Sequence, residues 1–221
     1  MRLRSLTRVN PECSKFLDDI LESRRSIRSF KPEFPPKEAV KAVLRAGILA
    51  PYAALAADKD FRRFVVVYRD SPVTARISEL VKRRAGAVSQ RLAEEMSRNP
   101  ELKDRAHRFA KRLEAVSREG ILAIGIAPYY VVVAERRGFP PVCQQSLAHS
   151  LENMWLKATS LGLGFQLISI TAEMALDKEF CDLLSIPYGE FELNGCALGY
   201  PAAEPSPASR PEVDEVTRWL D

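Results

Sequence analysis

The segment Arg24-Arg25-Ser26-Ile27-Arg28 places three guanidinium groups and a hydroxyl within five residues. A guanidinium is a planar, permanently charged fork that donates in pairs to phosphate or carboxylate oxygens. The chemistry expected of Arg24, Arg25, Ser26 and Arg28 is therefore capture of an anion, phosphate above all. Alternate residues of an extended segment face opposite sides, so Arg24, Ser26 and Arg28 can share one ligand while Arg25 points elsewhere. Taken alone, the same residues also describe a solvated basic loop.

Other chemistries lack a carrier. The chain has two histidines, His107 on a charged helical stretch and His149 off the apolar stripe of another, too few for a His-rich metal site. The four cysteines, Cys13, Cys143, Cys181 and Cys196, form no CxxC pair, which argues against a zinc ribbon and suits reduced thiols in a cytosol. Cys143, just ahead of a helix, is the one to test for redox chemistry. No Rossmann glycine fingerprint, P-loop or GxSxG elbow is present. Gly162-Leu163-Gly164 reads as a helix terminator. No metal site and no side-chain acid, base or nucleophile is expected.

The elements that must hold the arginine cluster follow from periodicity. Phe16, Ile20 and Leu21 predict a first helix over Cys13 to Ser23. Pro35-Pro36 suits the first turn of a second, which carries Val40, Val43, Leu44 and Ile48 and ends before Pro51. Phe64 to Tyr68, Tyr129 to Ala134, Phe165 to Ile170 and Phe191 to Leu198 read as strands, the first two as buried ones. Ile77, Leu80, Val81, Val88, Leu92 and Met96 form one helical stripe. Leu102, Ala106, Phe109, Leu113 and Val116 form another, spaced as a packing seam. Leu147, Leu151, Met154, Trp155, Ala158 and Leu161 predict a strong amphipathic helix, which calls for a partner surface. Leu176 to Leu184 is a short helix, and Pro201 to Pro211 an extended arm. Helices and strands mix without strict βαβ alternation, so the class is α+β.

Composition narrows the partners. Of 221 residues, 46% are hydrophobic and 28% charged, enough for a sizeable core and unlike a disordered or fibrous chain. The net charge of +4 is confined to Ala75 to Glu119, where 12 basic residues face 7 acidic ones; elsewhere 21 face 22. Acids are interleaved and no DNA-binding motif accompanies them, so this is read as a solvated helix face rather than a nucleic-acid surface. The uncharged stretch Ile121 to Ala134 is broken by Gly125 and Pro128 and falls short of the roughly 18 apolar residues a membrane span needs. The N-terminal MRLRSLTRVNPECSKF lacks the apolar run of a secretory leader. A cytoplasmic protein without membrane or nucleic-acid partners is expected.

The ordered set of short motifs says more than any one of them. RRSIRSF after a first helix, Ala50-Pro51, FVVV at Phe64 to Val67, AP-YYVVVA at Ala127 to Ala134, ENMWLKATSLGLG at Glu152 to Gly164, LGYP at Leu198 to Pro201 and SRPEVDEV at Ser209 to Val216 together resemble the nitroreductase family of FMN-dependent oxidoreductases. The resemblance runs in order over almost the whole chain. It implies a nitroreductase-like fold with a central, mostly antiparallel sheet flanked by helices, forming a homodimer with FMN at the subunit interface. One domain over 1–221 is expected, with a helical lid or insert at about 73–119 and an extended C-terminal arm at about 201–221.

What the resemblance implies for the site is specific. Arg24 and Ser26, with Arg25 in the same cluster, match positions that hold the FMN phosphate or ribityl chain. Arg28 matches the cation beside the flavin N1 and O2 edge, and Arg210 the C-terminal arginine that reaches the phosphate. Ile168, Ser169 and Ile170 match the segment whose main chain lies against the flavin. The flavin would carry electrons from NAD(P)H to a nitroaromatic, quinone or similar acceptor by a ping-pong hydride mechanism, with no catalytic side chain demanded. Another flavin chemistry, or flavin binding without turnover, is the alternative. The family usually continues after the AP motif with Asn-x-Gln-Pro-Trp; this chain reads YAALAADKDFRRF, Tyr52 to Phe64. Lys59 and Arg62 are the cations placed to replace the missing contact there. Glu152 stands where Gln is common.

Overall fold

A computed structural model describes residues 10–52 and 60–220. Helix α1 (Pro11–Ser23) starts at Asn10, whose side chain accepts from the Glu12 amide, and α2 (Lys37–Ile48) starts after Pro36. Strand β1 (Arg62–Tyr68) leads into two long helices, α3 (Val73–Arg98) and α4 (Pro100–Glu119). Asn99 ends one and caps the other, its side chain accepting from the Leu102 amide. A short α5 (Leu122–Ile126) precedes β2 (Tyr129–Arg136) and α6 (Cys143–Ser160). Then come β3 (Gly164–Leu167), a 3-10 segment (Ser169–Leu176), α7 (Lys178–Leu183), β4 (Phe191–Gly199) and α8 (Val213–Val216).

The strands form one sheet in the order β1-β2-β4-β3, every neighbouring pair antiparallel. The central strand β2 alternates between two cores. Tyr129, Val131 and Val133 pack with α2 and α6, while Tyr130, Val132 and Ala134 pack with α3, α5 and the 3-10 segment. A strand buried on both faces gains nothing from a polar residue, which is why YYVVVA is continuously apolar. The α+β class with a central antiparallel sheet flanked by helices is thus the observed one.

Several expectations need correction. β1 is an edge strand, and Val67 is its one buried residue. The third strand ends at Leu167 rather than Ile170. There the Ile168 amide bonds the Gly195 carbonyl, and the chain turns into the 3-10 segment. Gly195 permits that turn: a Cβ on it would lie 2.7 Å from Thr171 Oγ1, so a side chain would push the segment off the sheet. The stripe of α6 needs no second subunit, because Leu147, Leu151, Met154 and Ala158 are buried against α2 and the sheet of the same chain.

The basic excess resolves into two different surfaces. On α3, Arg76 and Arg83 pair with Glu179, Arg83 also with Asp177, and Arg84 and Arg91 with Glu173. The Arg76 and Arg83 guanidiniums hold the Glu179 carboxyl below its usual range. Each such exposed pair adds little stability, about 0–1 kcal/mol, but together they tie α3 to the 3-10 segment and α7. On α4 the one ion pair among the described residues is Arg118 with Glu114, leaving Lys103, Arg105, Arg108, Lys111 and Arg112 without an acid.

Candidate functional site

In the segment 24–30, Ser26 and Ile27 lie on the free edge of β3, and Phe30 forms an antiparallel bridge with Pro201, past the end of β4. Ser26 forms a parallel bridge with Phe165, the Ile27 amide donates to the Phe165 carbonyl at 3.0 Å, and Ile27 and Phe30 are buried. With Ile27 turned into the core, Ser26 and Arg28 turn outward together. Trp155 of α6 locks the start of the segment. Its indole stacks on Phe165 with centroids 5.0 Å apart, its Nε1 donates to the Arg25 carbonyl at 3.2 Å, and Arg24 lies 4.4 Å over its ring.

Ser26 and Arg28 open onto a cleft of about 820 Å³. Its floor is Gln166 and Leu167 of β3, then Ile168, Ser169 and Ile170, with Trp155 at one side. Its roof is Phe109, Arg112, Leu113 and Val116 of α4, continued by Ile121 and Leu122. The volume falls within the range of cofactor and substrate clefts. Among the described residues Arg28 has no hydrogen bond or ion pair to another side chain. Glu173 is the acid that lines the cleft, and Arg84 and Arg91 already hold it at 3.2 and 3.1 Å. The Ser169 and Ile170 amides, at the start of the 3-10 segment, take no carbonyl partner among the described residues.

Five of the sequence-derived candidates therefore meet on one cleft: Ser26, Arg28, Ile168, Ser169 and Ile170. Three do not line it. Arg24 pairs with Glu152 at 3.5 Å beneath its stacking contact with Trp155. Arg25 points to the C-terminal arm and donates to the Ser206 carbonyl. Arg210 sits exposed on that arm. Arg62 is not available as a substitute contact: its side chain is 3% exposed and bonded to Glu135. Lys59 and most of the altered loop lie outside the described residues.

Gln166 was not singled out by sequence reasoning. It lines the cleft, is 9% exposed, and its Oε1 has no hydrogen-bond partner. A buried amide oxygen without a donor costs stability unless a ligand supplies one. The signal was present as a lone polar residue inside the apolar run FQLI, but a strand of two faces leaves open which one it serves.

The cleft can hold a flat, mostly apolar molecule with anionic character. It offers no paired acid and base for proton transfer, and no group of residues suited to a metal occurs among the described residues. The four cysteines are free; burial pushes the Cys181 and Cys196 thiols up, away from reactive thiolate.

The chain matches the model of the Nitroreductase family over residues 21–200. A search of curated protein sequences finds no match. Among solved structures, a nitroreductase with bound FMN from Bacteroides fragilis is 22% identical, with a TM-score of 0.67 over 96% of this chain and 100% of that one. A BluB-like flavoprotein from Clostridium difficile is also 22% identical, with a TM-score of 0.67 over 93% of this chain and 99% of that one. An iodotyrosine deiodinase bound to FMN and 3-iodo-L-tyrosine shows 22% identity and a TM-score of 0.66 over 93% of this chain and 99% of that one. At these identities the likeness is one of fold.

Proposed function

Because the chain belongs to the nitroreductase family, we propose that it is an FMN-dependent oxidoreductase passing electrons from NAD(P)H to a small nitroaromatic, quinone or similar aromatic acceptor. The observation that carries this reading is the meeting of an unpaired Arg28, Ser26, two free backbone amides and the orphaned Gln166 oxygen on one apolar cleft.

These residues fit the group. FMN, when bound, supplies hydride acceptance from the nicotinamide and delivery to the acceptor in two half-reactions. Arg28 would hold the pyrimidine edge, where a fixed cation stabilises the negative charge that reduction brings. Ser169 and Ile170 would donate from the main chain, Gln166 would gain the partner it lacks, and Ser26 would bind the ribityl side. Arg24, Arg25 and Arg210 do not line the cleft, and their assignment to the phosphate end rests on the family resemblance. The α3–α4 pair, whose Phe109, Leu113 and Val116 line the cleft, would act as a lid that excludes water from it. No side chain is assigned a proton-transfer role.

The test is the visible spectrum of the purified protein and the identity of any flavin it releases on denaturation. Stoichiometric FMN and NAD(P)H oxidation driven by menadione are expected. A colourless protein that rejects added FMN would refute the reading.

A homodimer belongs to the same proposal. Phe16, Leu17 and Leu21 on α1 and Val213, Val216, Trp219 and Leu220 on the arm are exposed apolar side chains that a partner subunit would cover. Sedimentation at micromolar protein should show twice the 24.8 kDa of the chain; a 24.8 kDa species would exclude the dimer. No described helix is long and apolar enough to cross a membrane, and a cytoplasmic site of action is part of the proposal.

A further inference from the structure

Arg112 is the feature of the cleft that the electron-transfer reading leaves without a role. It lines the roof from α4 among Phe109, Leu113 and Val116, the one charged residue that this helix contributes. A helix-surface arginine can pair with an acid three or four positions away. Here those positions hold Arg108, Phe109, Ala115 and Val116. The nearest acid in sequence, Glu114, is taken by Arg118 at 2.7 Å. Glu173 across the cleft is held by Arg84 and Arg91. Arg112 has no hydrogen bond or ion pair among the described residues.

The cleft thus carries two uncompensated cations and one neutralised acid. Arg28 is committed to the cofactor in the reading above. Arg112 stands on the opposite wall, beside an aromatic ring that is 55% exposed, Phe109. A planar fork next to an exposed ring on an apolar surface is built for a flat molecule bearing an oxyanion. We propose that Arg112 is the receptor for an anionic group on the acceptor, so that this enzyme favours aromatic carboxylates over their neutral isosteres. The proposal rests on the flavin reading and assigns the substrate class of that same cleft.

The experiment uses 4-nitrobenzoate and its neutral isostere 4-nitrobenzamide with the FMN-loaded protein. Dissociation constants come from titrating the absorbance of the bound flavin, and KM values from turnover. The wild type should bind the acid more tightly than the amide, and Arg112→Gln should reduce that ratio about tenfold, the size of one charged hydrogen-bond pairing. Arg112→Lys should restore part of it, and raising the salt should erode the wild-type preference. A ratio unchanged in Arg112→Gln, in protein that still holds FMN, overturns the proposal and leaves the flavin reading intact. An equal rise in the KM for NADH would assign Arg112 to the donor's phosphates and also overturn it. Protein that binds no flavin overturns the underlying reading and the proposal with it.

Discussion

Replacing Arg62 with Met is expected to destabilise the fold by about 3–5 kcal/mol, the usual cost of stranding one member of a buried ion pair. The Arg62 and Glu135 side chains are 3% and 0% exposed and meet at 2.7 Å across the β1–β2 pairing. Arg62 also donates to the carbonyls of Gly47, Ala50 and Pro51, at 2.7, 3.2 and 3.3 Å. One guanidinium therefore satisfies the end of α2, the turn after it and a buried carboxylate. Urea unfolding at pH 7 measures the loss. The deficit should depend on pH in a defined sense. Burial already raises the Glu135 pKa despite the opposing pull of Arg62, and without Arg62 it rises further. A carboxyl raised in the folded state favours folding below its unfolded pKa of about 4.3 and loses that contribution as pH rises through its folded value. The variant's deficit should therefore shrink between pH 7 and pH 5. The double variant Arg62→Met/Glu135→Leu should recover much of the loss, because no charge is then left buried. A deficit below 1 kcal/mol, or one indifferent to pH, would show that the pair does not brace the fold.

Gly164→Val should abolish retained flavin while costing about 1–3 kcal/mol of stability, the range for forcing extra carbons into a packed contact. A Cβ on Gly164 would lie 2.7 Å from Ile27 Cγ2 and 2.9 Å from Ile27 Cβ. Neither atom can swing away, because the Ile27 amide is bonded to the Phe165 carbonyl and its side chain is buried. The segment bearing Ser26 and Arg28 must then move off the edge of β3, and the cleft loses its cationic wall. Gly125 is the control: a Cβ there meets nothing within 4 Å, so Gly125→Ala should stay within about 0.5 kcal/mol of the parent. The readouts are the flavin absorbance of purified protein and the urea midpoint. A Gly164→Val protein that keeps its full flavin complement would show that the 24–28 segment does not depend on this contact.

Much of this architecture was legible in the chain. Periods near 3.6 located α1 to α4 and α6, and continuous β-branched runs located β1 and β2, because both signals arise from which faces a chain must bury. Alternation in RRSIRSF put Arg24, Ser26 and Arg28 on one side, and of these Ser26 and Arg28 line the cleft while Arg25 does not. The ordered motifs pointed to the family that the chain is found to belong to.

Tertiary packing decided the rest. Arg24 shares the parity of Ser26 and Arg28, yet Trp155 and Glu152, about 130 residues away in sequence, draw it aside. Arg62 was a spare cation on paper and became a structural brace once β2 set Glu135 opposite it. The third strand ended early because Gly195 on β4 admits Thr171 against the sheet. Phe109, Leu113 and Val116 read as a packing seam, but which of them would face a cleft depended on where α4 docks relative to β3. Local spacing dictates which side of an element a residue occupies; what stands across from it is set by contacts between elements remote in sequence, which no local pattern encodes.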